Sequence, residues 1–226
     1  MTQQQYNHWF QYFPNSFMWS QGIMSAIEMI PYGAAAMGEI DQVGQRLKGR
    51  EGDNDAWCDE WSKMAEKMQR RAEDAVAANH PLTAGTYYLH AWTYYGYGER
   101  FLHLGENKLA VYRKSLNCFE QGITRRYPNI ERVEVPYEGR SLPAWFMKSP
   151  NAQGRAPTVV FFNGLDGTKE VGVLYGGVEL AARGIHLLAI DGPGQGEALR
   201  LQNIPSRYDY EVAGTAAYET VAQRPD

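Results

Sequence analysis

The sequence predicts an α/β protein whose all-helical first half precedes the opening strands of a doubly wound sheet. Apolar residues recur at helical spacing as far as Pro128, and the pattern then switches to period two around Val133. The short unbroken apolar run Thr158–Phe162 and the buried-strand pattern His186–Asp191 follow on either side of an amphipathic stretch, as in a strand–helix–strand unit.

In the first half, Trp57, Trp61, Met64, Ala65, Met68, Ala72, Ala75 and Val76 lie three or four residues apart, one stripe along a helix. Asn79-His80-Pro81 ends that helix. An aromatic-rich helix is predicted from about Leu82 to Leu104, and another from Lys108 to Glu120. Ser16 to Met37 is apolar but interrupted by Gly22, Pro31 and Gly33, which predicts two shorter helices. Lys48 to Asp55 is a polar loop, and no repeat of fixed period is present.

Beyond Pro128, Val133, Val135 and Tyr137 alternate with charged or turn residues and predict a strand. Gly139-Arg140 turns the chain, and Leu142 to Lys148 returns as a second strand. After a polar linker, Ser149 to Ala156, the run Thr158–Phe162 has the apolar continuity of a parallel strand buried on both faces. Val171, Leu174, Tyr175, Val178 and Ala182 mark the next helix, with Gly184 just past its end. His186 to Asp191 is the partner strand, reached by a right-handed crossover. A last helix is expected from Tyr208 to Ala222, stopped by Pro225. A doubly wound sheet needs a further strand at that point, so a longer protein is expected, with residues 1–129 as one domain and 130–226 as the first half of another.

Composition excludes several classes of function. A hydrophobic fraction of 44% with 13% aromatic residues fits a globular core. Acidic residues number 26 against 22 basic ones, giving a net charge of -4, and basic residues adjoin only in short pairs such as Arg125-Arg126. Nucleic-acid and anionic-membrane surfaces need clustered positive charge, so neither partner is expected. The opening Met-Thr-Gln-Gln-Gln-Tyr has no basic n-region or apolar h-region. No apolar run nears the roughly 20 residues that span a bilayer, and a cytoplasmic protein is expected. Cys58 and Cys118 lie outside any CxxC pair and read as buried free thiols. No Cys/His cluster has zinc-ligand spacing, so no metal is expected.

Two glycine turns follow the two buried strands. Asn163-Gly164-Leu165-Asp166-Gly167 stands where ligands bind in parallel sheets, beyond the carboxyl end of a strand. Glycines there let backbone N–H groups face the crevice and hold an oxyanion, although a plain strand-to-helix turn has the same sequence. Thr168 is placed to cap the following helix, with Glu170 in its first turn. Asp191-Gly192-Pro193-Gly194-Gln195-Gly196-Glu197 approaches the dinucleotide fingerprint but has Glu197 at the third glycine position. It reads instead as a rigid rim of the same crevice, carried by Asp191, Gly192 and Gly194. In the helical half, the dense stretch Tyr87 to Tyr97 has more rings than one stripe can bury. Tyr94 and Tyr95 are therefore candidates for lining a substrate pocket, with helix packing as the alternative. His8, His80, His90, His103 and His186 have no readable partner.

A serine hydrolase sets its nucleophile on a G-x-S-x-G elbow, and that motif is absent. Gly139-Arg140-Ser141-Leu142-Pro143 comes nearest, but it lies in a hairpin turn and lacks the last glycine. No catalytic side chain is therefore assigned, and the stretch by itself is expected to be inactive.

The runs VEVPYEGRSLPAWFMKSP, PTVVFFNGLDGTKE and GIHLLAIDGPGQGEA resemble a branch of the α/β-hydrolase superfamily. That branch includes dihydroxypseudooxynicotine hydrolase, fungal polyketide-shortening hydrolases and fermentation–respiration switch proteins. The resemblance is strongest from Arg132 to Asp226 and weaker in the helical half, where Tyr94-Tyr95 resembles a paired aromatic of the family's cap helices. It implies an α/β-hydrolase fold, here incomplete, preceded by an all-helical N-terminal cap that covers the active site. It also implies a Ser-Asp-His triad whose serine lies on the strand just beyond Asp226. The turn after Thr158–Phe162 would supply part of the oxyanion hole through the backbone of Gly164, Leu165 or Asp166. Members resembling the first two groups cleave carbon–carbon bonds in β-dicarbonyl-like small molecules, while other relatives are esterases or peptidases.

The expected function is thus hydrolysis of a carbon–carbon bond in a β-dicarbonyl-like small-molecule substrate, without metal or organic cofactor. Three rivals stay open: an esterase or acyl-peptidase, a non-catalytic binding or regulatory protein derived from the fold, and a helical interaction module ending near Pro128. A homodimer also stays open.

Overall fold

The computed structural model describes residues 10–225. The chain divides into two compact units between Arg126 and Tyr127.

The first unit is helical: α1 (Phe17–Ile27), a 3₁₀ turn (Ile30–Tyr32), α2 (Met37–Leu47), α3 (Asn54–Ala77), α4 (Pro81–Glu99) and α5 (Glu106–Arg126). Two starts are capped by side chains, Ser16 Oγ accepting the Trp19 N–H at 3.3 Å and Asp53 Oδ1 the Ala56 N–H at 2.9 Å. The stripe from Trp57 to Ala72 is buried, and its tryptophans build an aromatic core. Ring centroids lie 4.9 Å apart for Trp19–Trp57, 5.6 Å for Trp57–Trp61 and 5.6 Å for Trp61–Tyr94.

Helix α2 is an addition to the sequence expectation. It buries Ile40, Val43, Gly44 and Leu47, a helical spacing that the intervening glycines and glutamines dilute. Helix α4 stops at Glu99, short of the expected Leu104. Lys108 Nζ stabilises the stop by donating to the carbonyls of Glu99 at 2.8 Å, Arg100 at 3.3 Å and Leu102 at 3.3 Å.

The second unit carries β1 (Ile130–Tyr137), β2 (Arg140–Met147), β3 (Thr158–Phe162), α6 (Lys169–Gly172), a π turn (Val173–Gly177), α7 (Val178–Ala182), β4 (His186–Ile190), α8 (Gly196–Arg200) and α9 (Glu211–Ala222). Its four-stranded sheet has the order β1-β2-β4-β3. Strands β3 and β4 run parallel, while the β1–β2 hairpin is antiparallel within itself and to β4, so the sheet is mixed. The hairpin turn falls one residue earlier than expected, on Glu138 and Gly139, with φ of 46° and 76°. Two left-handed residues suit a two-residue hairpin.

The sheet is covered on both faces. Leu188 and Ile190 of β4, with Leu142, Ala144 and Phe146 of β2, pack in one core with Ala198 of α8 and Ala213 and Ala217 of α9. On the opposite face the predicted helix runs without a gap through α6, the π turn and α7, and lies close against the strands. A Cβ on Gly172 would stand 2.7 Å from Phe161 Cδ1, and one on Gly177 2.9 Å from Leu187 Cδ2. Strand β4 is fully buried, whereas β3 lies at the sheet edge with Val159 36% exposed. The parallel pair thus brings the carboxyl ends of β3 and β4 side by side, Phe162 opposite Ile190.

Candidate active site

Each parallel strand feeds a turn, and a buried charge cluster ties the two turns together. Asp191, the first residue after β4, accepts the Lys169 backbone N–H on Oδ1 at 2.7 Å. Its Oδ2 accepts the Lys169 ammonium at 2.8 Å and the Glu197 N–H at 2.8 Å. One carboxylate thereby caps the first turns of both α6 and α8, satisfying orphan helix donors that no local side chain reaches. The expected Thr168 cap is absent: Thr168 is extended and its hydroxyl makes no capping bond, because Asp191 takes that role from across the sheet.

Lys169 also meets Glu170 at 2.7 Å and Glu197 at 3.0 Å, and its side chain is completely buried. Arg132 of β1 extends the chain of charges, reaching Glu197 at 2.9 Å and Glu134 at 3.0 Å. Burial works to raise the Glu197 carboxyl, but Lys169 and Arg132 together outweigh it and hold it below its ordinary value. For Asp191 burial dominates and pushes the carboxyl up against the pull of Lys169. Buried ion pairs add little net stability but are costly to break, so the cluster acts chiefly to fix geometry.

The turn after β3 is the exposed member of the pair. Gly164, Leu165 and Asp166 are all exposed, Leu165 at 88%. The Gly164 N–H donates to Asn163 Oδ1 at 2.9 Å, and the Gly164 carbonyl accepts the Gly167 N–H at 3.0 Å. The Leu165 N–H donates to no acceptor among the described residues. Gln195 pins this turn from below: its Nε2 donates to the Asn163 carbonyl at 2.6 Å and to the Gly164 carbonyl at 2.9 Å. An N–H without an internal acceptor, on an exposed and pinned turn, is the arrangement an oxyanion donor requires, since it needs no reorganisation when charge develops.

The other sequence candidates fall elsewhere. Asp191 is fully buried and lines no rim; its charge is spent on Lys169 and two helix starts. Gly192 is buried, and a Cβ there would stand 2.0 Å from Tyr210 Oη. Gly194 adopts a φ of 85° and donates its N–H to the Ile204 carbonyl at 2.9 Å. The expected rim is thus a structural support beneath the first turn.

Tyr94 and Tyr95 are buried, and both hydroxyls are committed within the helical unit. Tyr94 donates to Glu39 Oε2 at 2.6 Å and accepts the Ala36 N–H at 3.0 Å, while Tyr95 donates to Gln69 Oε1 at 3.2 Å. Neither hydroxyl is free to orient a ligand there. His90 does have a partner, Glu39 at 2.7 Å, and Glu39 lies below its ordinary carboxyl value because the His90 and Tyr94 hydrogen bonds outweigh its burial. His186 Nδ1 accepts the Ser149 N–H at 2.9 Å, a structural role. Cys58 and Cys118 are free and buried, and burial pushes the Cys118 thiol up to about 12.

Lys169, Gln195, Glu197 and Arg132 are the site residues that sequence reasoning passed over. The charged residues directly following each glycine turn, Lys169-Glu170 and Glu197, were the available signal. Among the described residues, no helix is long and apolar enough to cross a membrane.

The crystal structure of 2,6-dihydroxy-pseudo-oxynicotine hydrolase matches 90% of this chain at a TM-score of 0.72 and 24% identity, with 54% of that structure covered. That likeness is one of fold: the chain carries the part of an α/β-hydrolase fold in which a helical region is followed by the first strands of the sheet. The FrsA-like esterase family matches residues 2–205, and the chain belongs to that family. Its relatives are hydrolases. The chain is 33% identical over 192 residues to 20-hydroxy-prefusarin hydrolase FUS2 of Gibberella moniliformis, covering 80% of this chain and 45% of that protein. It is 28% identical over 185 residues to 2,6-dihydropseudooxynicotine hydrolase of Paenarthrobacter nicotinovorans, covering 80% of this chain and 49% of that protein. The chain spans about half the length of these curated relatives.

Proposed function

We propose that this chain is the first part of a serine-type α/β-hydrolase that cleaves a carbon–carbon bond in a β-dicarbonyl-like small molecule. The observation that carries the reading is the Leu165 N–H, which no described acceptor takes, on an exposed turn held by Gln195 immediately after β3, where α/β-hydrolases draw one oxyanion donor. The nucleophile, acid and histidine belong in this reading to a segment following α9. Strand β3, at the sheet edge, offers the next strand a pairing partner, and relatives about twice as long support the same division.

In the proposed reaction the serine oxygen adds to a ketone carbonyl as the histidine takes its proton. The Leu165 N–H, with a second donor beside the nucleophile, holds the tetrahedral oxyanion. Collapse breaks the bond to the adjacent carbon, whose electron pair leaves as an enolate stabilised by the second carbonyl and is then protonated. Water hydrolyses the acyl-enzyme and releases a carboxylic acid. The family's esterase description favours a second reading, in which the same donor serves an ester carbonyl and an alcohol leaves.

The test is to express the complete reading frame and challenge it with aromatic β-diketones, simple aryl esters and a serine-directed fluorophosphonate. Acid release from the diketones with covalent labelling supports the first reading. Turnover of esters alone selects the esterase. Neither turnover nor labelling leaves a non-catalytic protein on a hydrolase fold.

A further inference from the structure

The Gln195 side chain uses its whole hydrogen-bonding capacity between the two turns. Besides its two donations to the Asn163 and Gly164 carbonyls, its Oε1 accepts the Gly192 N–H at 3.1 Å and the Tyr210 hydroxyl at 2.9 Å. Two donations and two acceptances are the full inventory of a primary amide and of no other side chain of this size. The Gly192 N–H fixes which end is oxygen, because an amide turned over would set its oxygen against two carbonyls. Tyr210 stays a donor through the neutral range, since burial and the nearby Asp191 push its hydroxyl up to about 12. Gln195 itself is 7% exposed, so none of this is exchanged freely with water.

The consequence lies on the far side of the peptide planes. In a trans peptide the C=O and the following N–H point in opposite directions, and no peptide bond among the described residues is cis. Drawing the Gly164 carbonyl toward Gln195 therefore turns the Leu165 N–H away from Gln195. Were that peptide to rotate, the Gly164 carbonyl would replace the N–H and repel the charge it should hold.

Resting on the hydrolase reading above, we infer that Gln195 is a positioning residue for the oxyanion hole: its two donations set the Gly164–Leu165 peptide so that the Leu165 N–H serves as the donor. Gln195 touches no reacting atom and acts through the turn.

The discriminating variant is Gln195→Glu, which keeps the shape and the acceptor for Gly192 and Tyr210 but loses both donations. Gln195→Met accompanies it as an uncharged variant, and circular dichroism of both establishes that they fold. Two readouts apply. In this chain, ¹⁵N relaxation should show the Leu165 amide moving from a rigid order parameter of about 0.85 to below about 0.6, with a shifted resonance. In the complete protein kcat should fall roughly tenfold to hundredfold, because part of an oxyanion donor's contribution is lost, while KM stays within about threefold. A Leu165 amide as rigid as in the wild type, a retained kcat, or a loss confined to KM overturns the inference. Should the wild-type protein hydrolyse nothing, the hydrolase reading fails separately, and the Leu165 relaxation alone decides whether Gln195 sets this peptide.

Discussion

Lys169 and Asp191, 22 residues apart in sequence, meet twice: the Lys169 amide on one carboxylate oxygen at 2.7 Å and its ammonium on the other at 2.8 Å. This double contact joins the start of α6 to the end of β4 and so fixes where the exposed turn after β3 stands. Packing places the strands, and this pair places the turns they feed.

Asp191→Ala leaves a buried ammonium short of one partner and two helix-start amides without an acceptor. Removing one member of a buried ion pair costs about 3 kcal/mol or more. Urea denaturation of the two proteins should show that loss as a lower midpoint with an unchanged slope. A midpoint shift worth less than about 0.5 kcal/mol, the range of ordinary surface substitutions, would mean the cluster does not hold this unit together.

Glu197 gives the pH dependence its sign. Its folded carboxyl lies below the ordinary value, so the stability it contributes is complete above its unfolded value of about 4.3 and is lost as pH falls through the folded one. Glu197→Gln abolishes this dependence. The stability difference between the two proteins should shrink as pH is lowered below about 4.3, and unfolding free energies measured across that range check it. A difference that grows on acidification contradicts the assignment.

Gly192→Ala should disturb the support under the exposed turn. The new methyl would stand 2.0 Å from Tyr210 Oη and 3.0 Å from Phe162 Cδ1, and Tyr210 must move off Gln195 to admit it. Overpacking of this kind costs about 1–3 kcal/mol. A thermal melt should show a lower transition, whereas an unchanged one would show that Tyr210 yields freely.

In the helical unit, Tyr94→Phe removes a hydroxyl shared between Glu39 and the Ala36 amide. The expected loss is about 1–2 kcal/mol, followed through tryptophan fluorescence, because Trp61 packs against this ring. Unaltered stability with a raised KM in the complete protein would instead return Tyr94 to the substrate pocket expected from the sequence.

Much of the fold was legible because local pattern and tertiary role agree. His186–Ile190 is fully buried as its apolar interior states, and Trp57 to Ala72 keeps strict helical steps, so packing there executes the pattern, whereas Thr158–Phe162 forms its strand but stands half-exposed at the sheet edge instead of buried on both faces. Helix α2 is hard to read from the sequence because glycines and glutamines dilute its apolar stripe; one of them, Gly44, holds a packing position where a Cβ would stand 2.3 Å from Tyr12 Cε1. The site was half legible. The glycine turn after β3 declares itself by composition, but the Lys169–Asp191–Glu197 cluster exists only once β3 and β4 pair in parallel. An aspartate following a strand faces a crevice or an ion cluster with the same sequence, and Asp191 takes the second course.

The most direct measurement is kcat for Leu165→Pro in the complete protein, since proline deletes the one N–H assigned as oxyanion donor. Leu165 is 88% exposed, so the urea midpoint monitors any damage to the fold separately. The account predicts a kcat lower by about 10²–10³ with KM within a few-fold of wild type, as for loss of one oxyanion donor. A Leu165→Pro protein that folds and turns over substrate at the wild-type rate would contradict it.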